Sequence, residues 1–380
     1  MSATGWLPAP ALWLAGVLAV SCVAVDSTPA RVPSSPAEPA SPEPARQALT
    51  GAASVGTTPP TGPPARVAVR VAVQGRPDQA HLQLALDRGY FAAQGLDVET
   101  VHITSGAEMV PALATNQIQV GNGAPSAALY NAMSRGVDIR IVADYAHVGP
   151  PTDTTLAILV RKDLWDAGSV RSLTDLRGRT FAAGTVPGTV SDLLLDRALA
   201  MEGIGRDGIQ VQYMPIPDIL AALANARVDG GTLTEPLATQ AVQQGIAVVL
   251  YPAGAVIPGA ILSVLQYSSQ FAIEQPDAAI RFMIGYLQGV RDYYDAFVLR
   301  RNREAAIDTL VRSLSPKDPR IWESYHPTTI DLNGMVDLDA LRDAAEYYLQ
   351  KGMFTGPIPD FTKFVDMQFA DAAVHILGRR

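Results

Sequence analysis

Five short stretches of this 380-residue chain collect the residue types that hold a small polar molecule. They are Gly75-Arg76-Pro77-Asp78, Gly121-Asn122-Gly123-Ala124-Pro125-Ser126, Asp144-Tyr145-Ala146-His147, Gly184-Thr185-Val186-Pro187-Gly188-Thr189-Val190-Ser191 and Thr234-Glu235-Pro236. Glycine and proline leave the backbone open to close approach, and hydroxyl, amide and carboxylate side chains supply donors and acceptors. The candidate ligand-binding residues are Asp78, Asn122, Ser126, Tyr145, His147, Thr185, Thr189, Ser191 and Glu235. Glu235 is the most informative, because a carboxylate in a closed cleft repels a sulfonate but accepts hydrogen bonds from an amino or imino group. A helix cap or a contact between lobes is its competing role. Tyr145 and His147 are expected just past a strand end, where an aromatic ring either stacks on a planar ligand or packs in a loop. Asp78 and Ser105 sit where helix caps are expected, and Thr189 with Asp192 reads as a capping box. Arg76 either pairs with an anionic group or stays solvated.

No catalytic residue, metal site or cofactor is expected. The one cysteine, Cys22, can build neither a disulfide nor a thiolate metal site, and His81, His102, His147, His326 and His375 lack metal-type spacing. A Gly-x-Ser-x-Gly elbow and a phosphate-binding loop are both missing from the sequence. The net charge of −8 and the lack of a basic run exclude non-specific nucleic-acid binding.

The elements that must position these residues begin late in the chain. Ala11 to Val20 is an apolar run, and Leu18-Ala19-Val20-Ser21-Cys22 resembles a bacterial lipoprotein box, so residues 1–22 are expected to be a signal with lipidation at Cys22. A plain secretory signal is the alternative. Residues 23–66 hold ten prolines and are expected to form a disordered tether. From Val67 the chain alternates strand and helix: strands at Val67–Val73, Leu96–Ile103, Ile118–Val120 and Ile139–Ala143, with helices over His81–Ala93, from Ser105 to Ala114, and over Ser126–Arg135. The pattern recurs at an offset of about 110 residues. Leu86-Asp87-Arg88 returns as Leu195-Asp196-Arg197, Ala112-Leu113-Ala114 as Ala222-Leu223-Ala224, and Gly121 as Gly231. Two similar α/β lobes follow, each expected as a parallel sheet flanked by helices. Lobe one is placed at 67–157 and lobe two at 158–259. Residues 260–380 supply a return crossover and helices over Asp277–Leu299, Asn302–Ser313, Asp337–Lys351 and Asp360–Leu377, packing mainly on lobe one.

Leu84-Ala85-Leu86-Asp87-Arg88-Gly89-Tyr90-Phe91 through Gly95-Leu96-Asp97-Val98 resembles the opening signature of solute-binding proteins for nitrate, sulfonates and taurine, a superfamily that also holds proteins of thiamine-pyrimidine synthesis. Gly136-Val137-Asp138 through Ala143, Ser172-Leu173-Thr174-Asp175-Leu176, Val228-Asp229-Gly230-Gly231 and Glu235-Pro236 extend the resemblance to the C-terminus. It implies a type II periplasmic-binding-protein fold, two Rossmann-like lobes joined by crossover strands that close on a ligand by hinge motion. It also implies a monomeric, lipid-anchored, extracytoplasmic protein that serves an ABC permease with a separate ATPase and is not an enzyme. The ligand implied is sulfonate-, nitrate- or taurine-like, or pyrimidine- or vitamin-like. A ligand sensor coupled to a signalling partner, a thiamine-pyrimidine synthesis enzyme and a scaffold with a vestigial cleft are the alternatives.

Overall fold

Ten strands order the chain in a computed structural model that describes residues 66–103 and 106–380. The signal segment, Cys22, the tether up to residue 65 and Ser105 lie outside the described residues. The strands are β1 (Val67–Val73), β2 (Leu96–His102), β3 (Val120–Gly123), β4 (Ile139–His147), β5 (Leu156–Arg161), β6 (Thr180–Ala182), β7 (Gln210–Gln212), β8 (Gly230–Thr234), β9 (Ala247–Pro252) and β10 (Ile261–Ser268). They form two five-stranded sheets, ordered β2-β1-β3-β10-β4 and β7-β6-β8-β5-β9. Exchanging β1, β2, β3, β4 and β10 for β6, β7, β8, β9 and β5 turns one order into the other. The repeat read in the sequence is therefore a repeat of topology.

The expectation of parallel sheets needs correction. In the first sheet β10 runs antiparallel to β3 and β4, and in the second β5 runs antiparallel to β8 and β9. These two strands arrive directly from the opposite lobe, without the helical crossover that returns a chain to the same direction. The connecting segments, 148–155 and 253–260, meet at Gly254, whose N–H donates to the Asp153 carbonyl at 3.1 Å. A Cβ added to Gly254 would lie 1.9 Å from the Pro150 carbonyl oxygen, so only glycine lets the crossovers touch.

Helix boundaries differ from the periodic pattern where tertiary contacts intervene. The helix expected over His81–Ala93 divides into Ala80–Asp87 and Tyr90–Ala93 at Gly89, which has φ +73°. The one expected over Asp360–Leu377 divides into Phe361–Phe364 and Gln368–Leu377, because Val365 bridges to Ile141 and the Asp366 N–H donates to the Ile141 carbonyl. The long helix Pro276–Phe297 buries Phe282, Met283, Tyr286, Val290 and Tyr293 against Ala80–Asp87 and Gln368–Leu377, so it belongs to lobe one. Leu338–Gln350 departs from the expected packing on lobe one. It lies against both Ala127–Ser134 of lobe one and Val190–Met201 of lobe two.

Candidate functional site at the junction of the lobes

The carboxyl ends of the parallel strands of both sheets meet where the lobes face each other, as open α/β sheets lead one to expect. On lobe one, the turn after β1 is organised by Gln79, which is 2% exposed. Its Oε1 accepts from the N–H groups of Gln74 and Gly75, at 2.7 and 3.0 Å. Its Nε2 donates to Asn122 Oδ1 at 2.8 Å, and Asn122 Nδ2 donates to Ser263 Oγ at 3.3 Å. This chain links β1, β3 and β10. Tyr145 lies beside it, with its ring 4.2 Å from that of His81 in edge contact and 5.9 Å from that of Tyr286 in a stack. The Gln79 amide is near enough to bias the Tyr145 phenol, but the buried hydroxyl has no hydrogen-bond partner. Burial pushes the Tyr145 phenol well above its ordinary range and brings the His81 imidazole down to about 3, so both are neutral.

On lobe two, Val190–Met201 opens with the expected capping box of Thr189 and Asp192. Asp192 is fully buried. Its carboxylate accepts from the Gly188 N–H at 2.9 Å and from the Tyr213 hydroxyl at 2.7 Å, and pairs with Arg206 at 2.8 Å. This fixes the 184–189 loop, and across the junction the Gly188 carbonyl accepts from the Ala127 N–H at 3.2 Å. The first turn of Ala127–Ser134 therefore closes on lobe two.

Between the lobes lies a chain of acids and histidines. Glu235 Oε1 accepts from the Thr154 hydroxyl at 2.8 Å and the Thr239 hydroxyl at 3.0 Å, and Oε2 accepts from the Thr239 N–H at 3.1 Å. Burial nevertheless raises its carboxyl above the usual range. Asp153 accepts from the Gly149 and Thr155 N–H groups and pairs with His326 at 3.4 Å. Burial opposes its ionisation, but these donors override it and hold its carboxyl at about 2. The His326 imidazole is raised by the bond to Asp153. Asp144 holds His147 Nδ1 at 2.7 Å and accepts from the Asp331 N–H at 2.8 Å. Burial raises its carboxyl. His147 loses basicity to burial, but its bond to Asp144 more than restores it.

The candidate residues thus divide. Asn122, Tyr145, Ser191 and Glu235 are buried at the junction, and Asp78, Ser126, His147 and Thr189 are half-buried. Thr185 is exposed with Val186 and Pro187. Asp78 does not cap the following helix. Its carboxylate takes the Arg76 guanidinium, with Nε at 3.1 Å, because a 3-10 turn over Pro77–Gln79 intervenes. Ser126 Oγ caps its helix by accepting from the Leu129 N–H at 3.4 Å. Tyr145 and His147 do not lie past a strand end. β4 continues to His147, because β10 and a bridge to Thr329 keep it paired, and the Tyr145 ring faces already pack on His81 and Tyr286. Sequence reasoning missed Gln79, Asp153, Thr154, Thr239, Ser263 and His326. Asp153 follows a Gly-Pro-Pro turn, Thr154 adjoins it, and Gln79 and Thr239 bond within five residues of Gln74 and Glu235, so these carry local signals, whereas Ser263 and His326 reach the junction only through long-range packing. Among the described residues, no group of three His, Cys, Asp or Glu side chains is set to hold a metal ion.

The sequence pattern of the NMT1-like family matches residues 62–307. The chain belongs to the NMT1-like family. Two proteins named as binding proteins, from Brucella abortus (strain 2308) and Brucella suis biovar 1 (strain 1330), are each 25% identical over 237 residues. The match covers 61% of this chain and just under two thirds, 66%, of theirs. The fold is that of periplasmic binding proteins. The alkanesulfonate-binding protein SsuA of Xanthomonas axonopodis pv. citri bound to MOPS superposes with a TM-score of 0.60 at 20% identity, over 79% of this chain and 98% of that one. The nitrate-binding protein NrtA of Synechocystis PCC 6803 gives 0.64 at 15% identity, over 82% and 89%. The ligand-binding component of an ABC-type import system from Staphylococcus aureus gives 0.63 at 16%, over 81% and 99%.

Proposed function

We propose that this member of the NMT1-like family is the extracytoplasmic solute-binding protein of an ABC importer. It captures a small polar or heterocyclic molecule between its lobes without turning it over. The observation that carries the reading is the set of buried polar residues near strand ends on both lobes, Asn122 on β3 and Tyr145 on β4 of lobe one and Glu235 directly after β8 of lobe two. Tyr145 also holds a buried hydroxyl without a hydrogen-bond partner, an arrangement that costs about 1–3 kcal/mol and that a polar ligand would relieve. Asp78, Ser126, His147, Thr185, Thr189 and Ser191 complete the proposed binding surface. Export and lipid anchoring through Cys22 belong to the same proposal, as do the separate permease and ATPase and a monomeric state.

A thermal-shift screen of the full chain against nitrate, taurine, ethanesulfonate, thiamine and riboflavin tests the reading. A ligand at 100 times its dissociation constant adds about 2.7 kcal/mol to stability. The expected result is a shift that Asn122→Ala removes and that leaves the ligand chemically unchanged. Turnover of the bound compound, or a shift untouched by substitutions at the junction, overturns the proposal.

A further inference from the structure

We propose that His326 is a proton-operated latch between the lobes. As an imidazolium it ties the C-terminal segment of lobe one to the first crossover and to Glu235 of lobe two, and as a neutral ring it lets the lobes part. The latch is a property of the lobes themselves, so it stands or fails apart from the solute-binding reading.

Three pieces of chain converge on this residue. The segment 325–329 belongs to lobe one, because the Tyr325 and Tyr293 hydroxyls lie 2.8 Å apart and the Tyr293 hydroxyl accepts from the Thr328 N–H at 2.8 Å. Just before it, Pro319–Ser324 lies against Leu237–Gln243, the lobe-two helix that follows Glu235 and Pro236. The first crossover supplies Asp153, whose fully buried carboxylate sits 3.4 Å from His326 Nε2. It also supplies Thr154, whose hydroxyl donates to Glu235 Oε1 at 2.8 Å. The His326 side chain is 34% exposed, so solvent protons reach it.

The charged groups that face His326 are of one sign. Asp153 bonds it, and Glu235 acts on it through charge. The other donors to Asp153 are the N–H groups of Gly149 and Thr155 and the Thr329 hydroxyl, and those to Glu235 come from Thr154 and Thr239. All of these are neutral. Tyr325 feels the Glu235 charge, but its phenol is pushed up to about 12 and stays neutral. His147 feels the charges of Asp153 and Asp331, but it is bonded to Asp144 on the same strand, β4, and that pair stays within lobe one when the lobes separate.

A buried carboxylate without a cation is costly, and parting the lobes returns Glu235 to water. Burial raises the Glu235 carboxyl, and the His326 charge works against that rise. The bond to Asp153 raises the His326 imidazole, with the charges of Asp153 and Glu235 adding to it. Both groups are raised, so the closed junction binds more protons than the parted one. Closure is therefore favoured in full below the ordinary imidazole value of 6.5 and loses that support as pH rises through the higher value His326 has in the closed junction. By linkage, a solute held between the lobes binds more tightly in acid.

The Ala127 N–H donates to the Gly188 carbonyl across the lobes and so reports their parting. Its hydrogen exchange, divided by the chemical rate at each pH, should rise about fivefold between about pH 6 and 8.5, the scale of a partly exposed ion pair, while Pro276–Phe297 inside lobe one shows no such rise. His326→Gln should abolish the rise. NMR titration should give the His326 imidazole a lower pKa in Glu235→Gln than in wild type, a readout that does not depend on the first variant folding. A flat Ala127 profile in wild type, a rise that survives His326→Gln, or an imidazole pKa unmoved by Glu235→Gln overturns the latch.

Discussion

Replacing Asp153 by asparagine should cost about 2 kcal/mol at neutral pH and cost less as the solution is acidified. Asp153 lies in the first crossover with its side chain fully buried. It ties that crossover to itself through the N–H groups of Gly149 and Thr155, and to the C-terminal segment through His326 and Thr329. Its carboxyl titrates at about 2 in the folded protein against an ordinary value of 3.8. That difference is worth about 2 kcal/mol of stability. The sign follows from the depressed value: the contribution is present above the ordinary carboxylate range and is lost as pH falls through the folded value. It is nearly complete at about pH 4, roughly half gone by about pH 3 and small at about pH 2. Both carboxylate oxygens accept hydrogen bonds, so asparagine removes one acceptor along with the charge, and the part of the gap that varies with pH reports the charge. Urea unfolding of wild type and Asp153→Asn at about pH 7, 4 and 3 reads it directly. The gap in unfolding free energy should stay near its neutral value at about pH 4 and halve by about pH 3. His326 behaves in the opposite sense, because its raised value contributes below its ordinary range and is lost as pH rises through the folded one. The gap should therefore narrow above neutrality as well. A gap that is constant from about pH 3 to 7, or below about 0.5 kcal/mol at neutral pH, refutes the assignment of Asp153 as an ionised anchor of the crossover.

Gly254→Ala should destabilise the protein by about 1–3 kcal/mol, as overpacking against a backbone carbonyl does, and denaturant unfolding checks it. A neutral effect would mean that the crossovers part easily. Lys351→Met should loosen the seam between Leu338–Gln350 and lobe two, where Lys351 pairs with Asp196 at 2.6 Å and the Tyr347 hydroxyl donates to the same carboxylate at 3.0 Å. Hydrogen exchange should rise at the Ala127 N–H, which bridges the lobes, while Pro276–Phe297 stays protected. Exchange unchanged at Ala127 would show that the seam does not hold the lobes together.

The duplicated lobes were legible because hydrophobic periodicity and turn chemistry are local. β1 is read correctly over Val67–Val73, and the Thr189–Asp192 capping box forms as its spacing requires. The same local reading placed Asp78 as a cap, and the structure gives that carboxylate to Arg76. It ended the fourth strand at Ala143, whereas pairing with β10 and Thr329 carries β4 to His147. It left the Tyr145 ring open between stacking on a ligand and packing in a loop, and the structure packs it on His81 and Tyr286 within β4.

Composition, periodicity and the repeat offset of about 110 residues determined that the chain builds two α/β units carrying polar loops between strand and helix. Those features depend on neighbours within a few residues, so the sequence carries them openly. Tertiary structure decided the direction of β5 and β10, because that depends on which lobe each strand comes from. It also decided which polar groups are spent. Gln79 finds Asn122 43 residues away, and His326 of the C-terminal segment finds Asp153 of the first crossover. Only the folded chain shows that the helix ends are filled while Tyr145 keeps its hydroxyl open, because both depend on groups brought together from distant parts of the sequence.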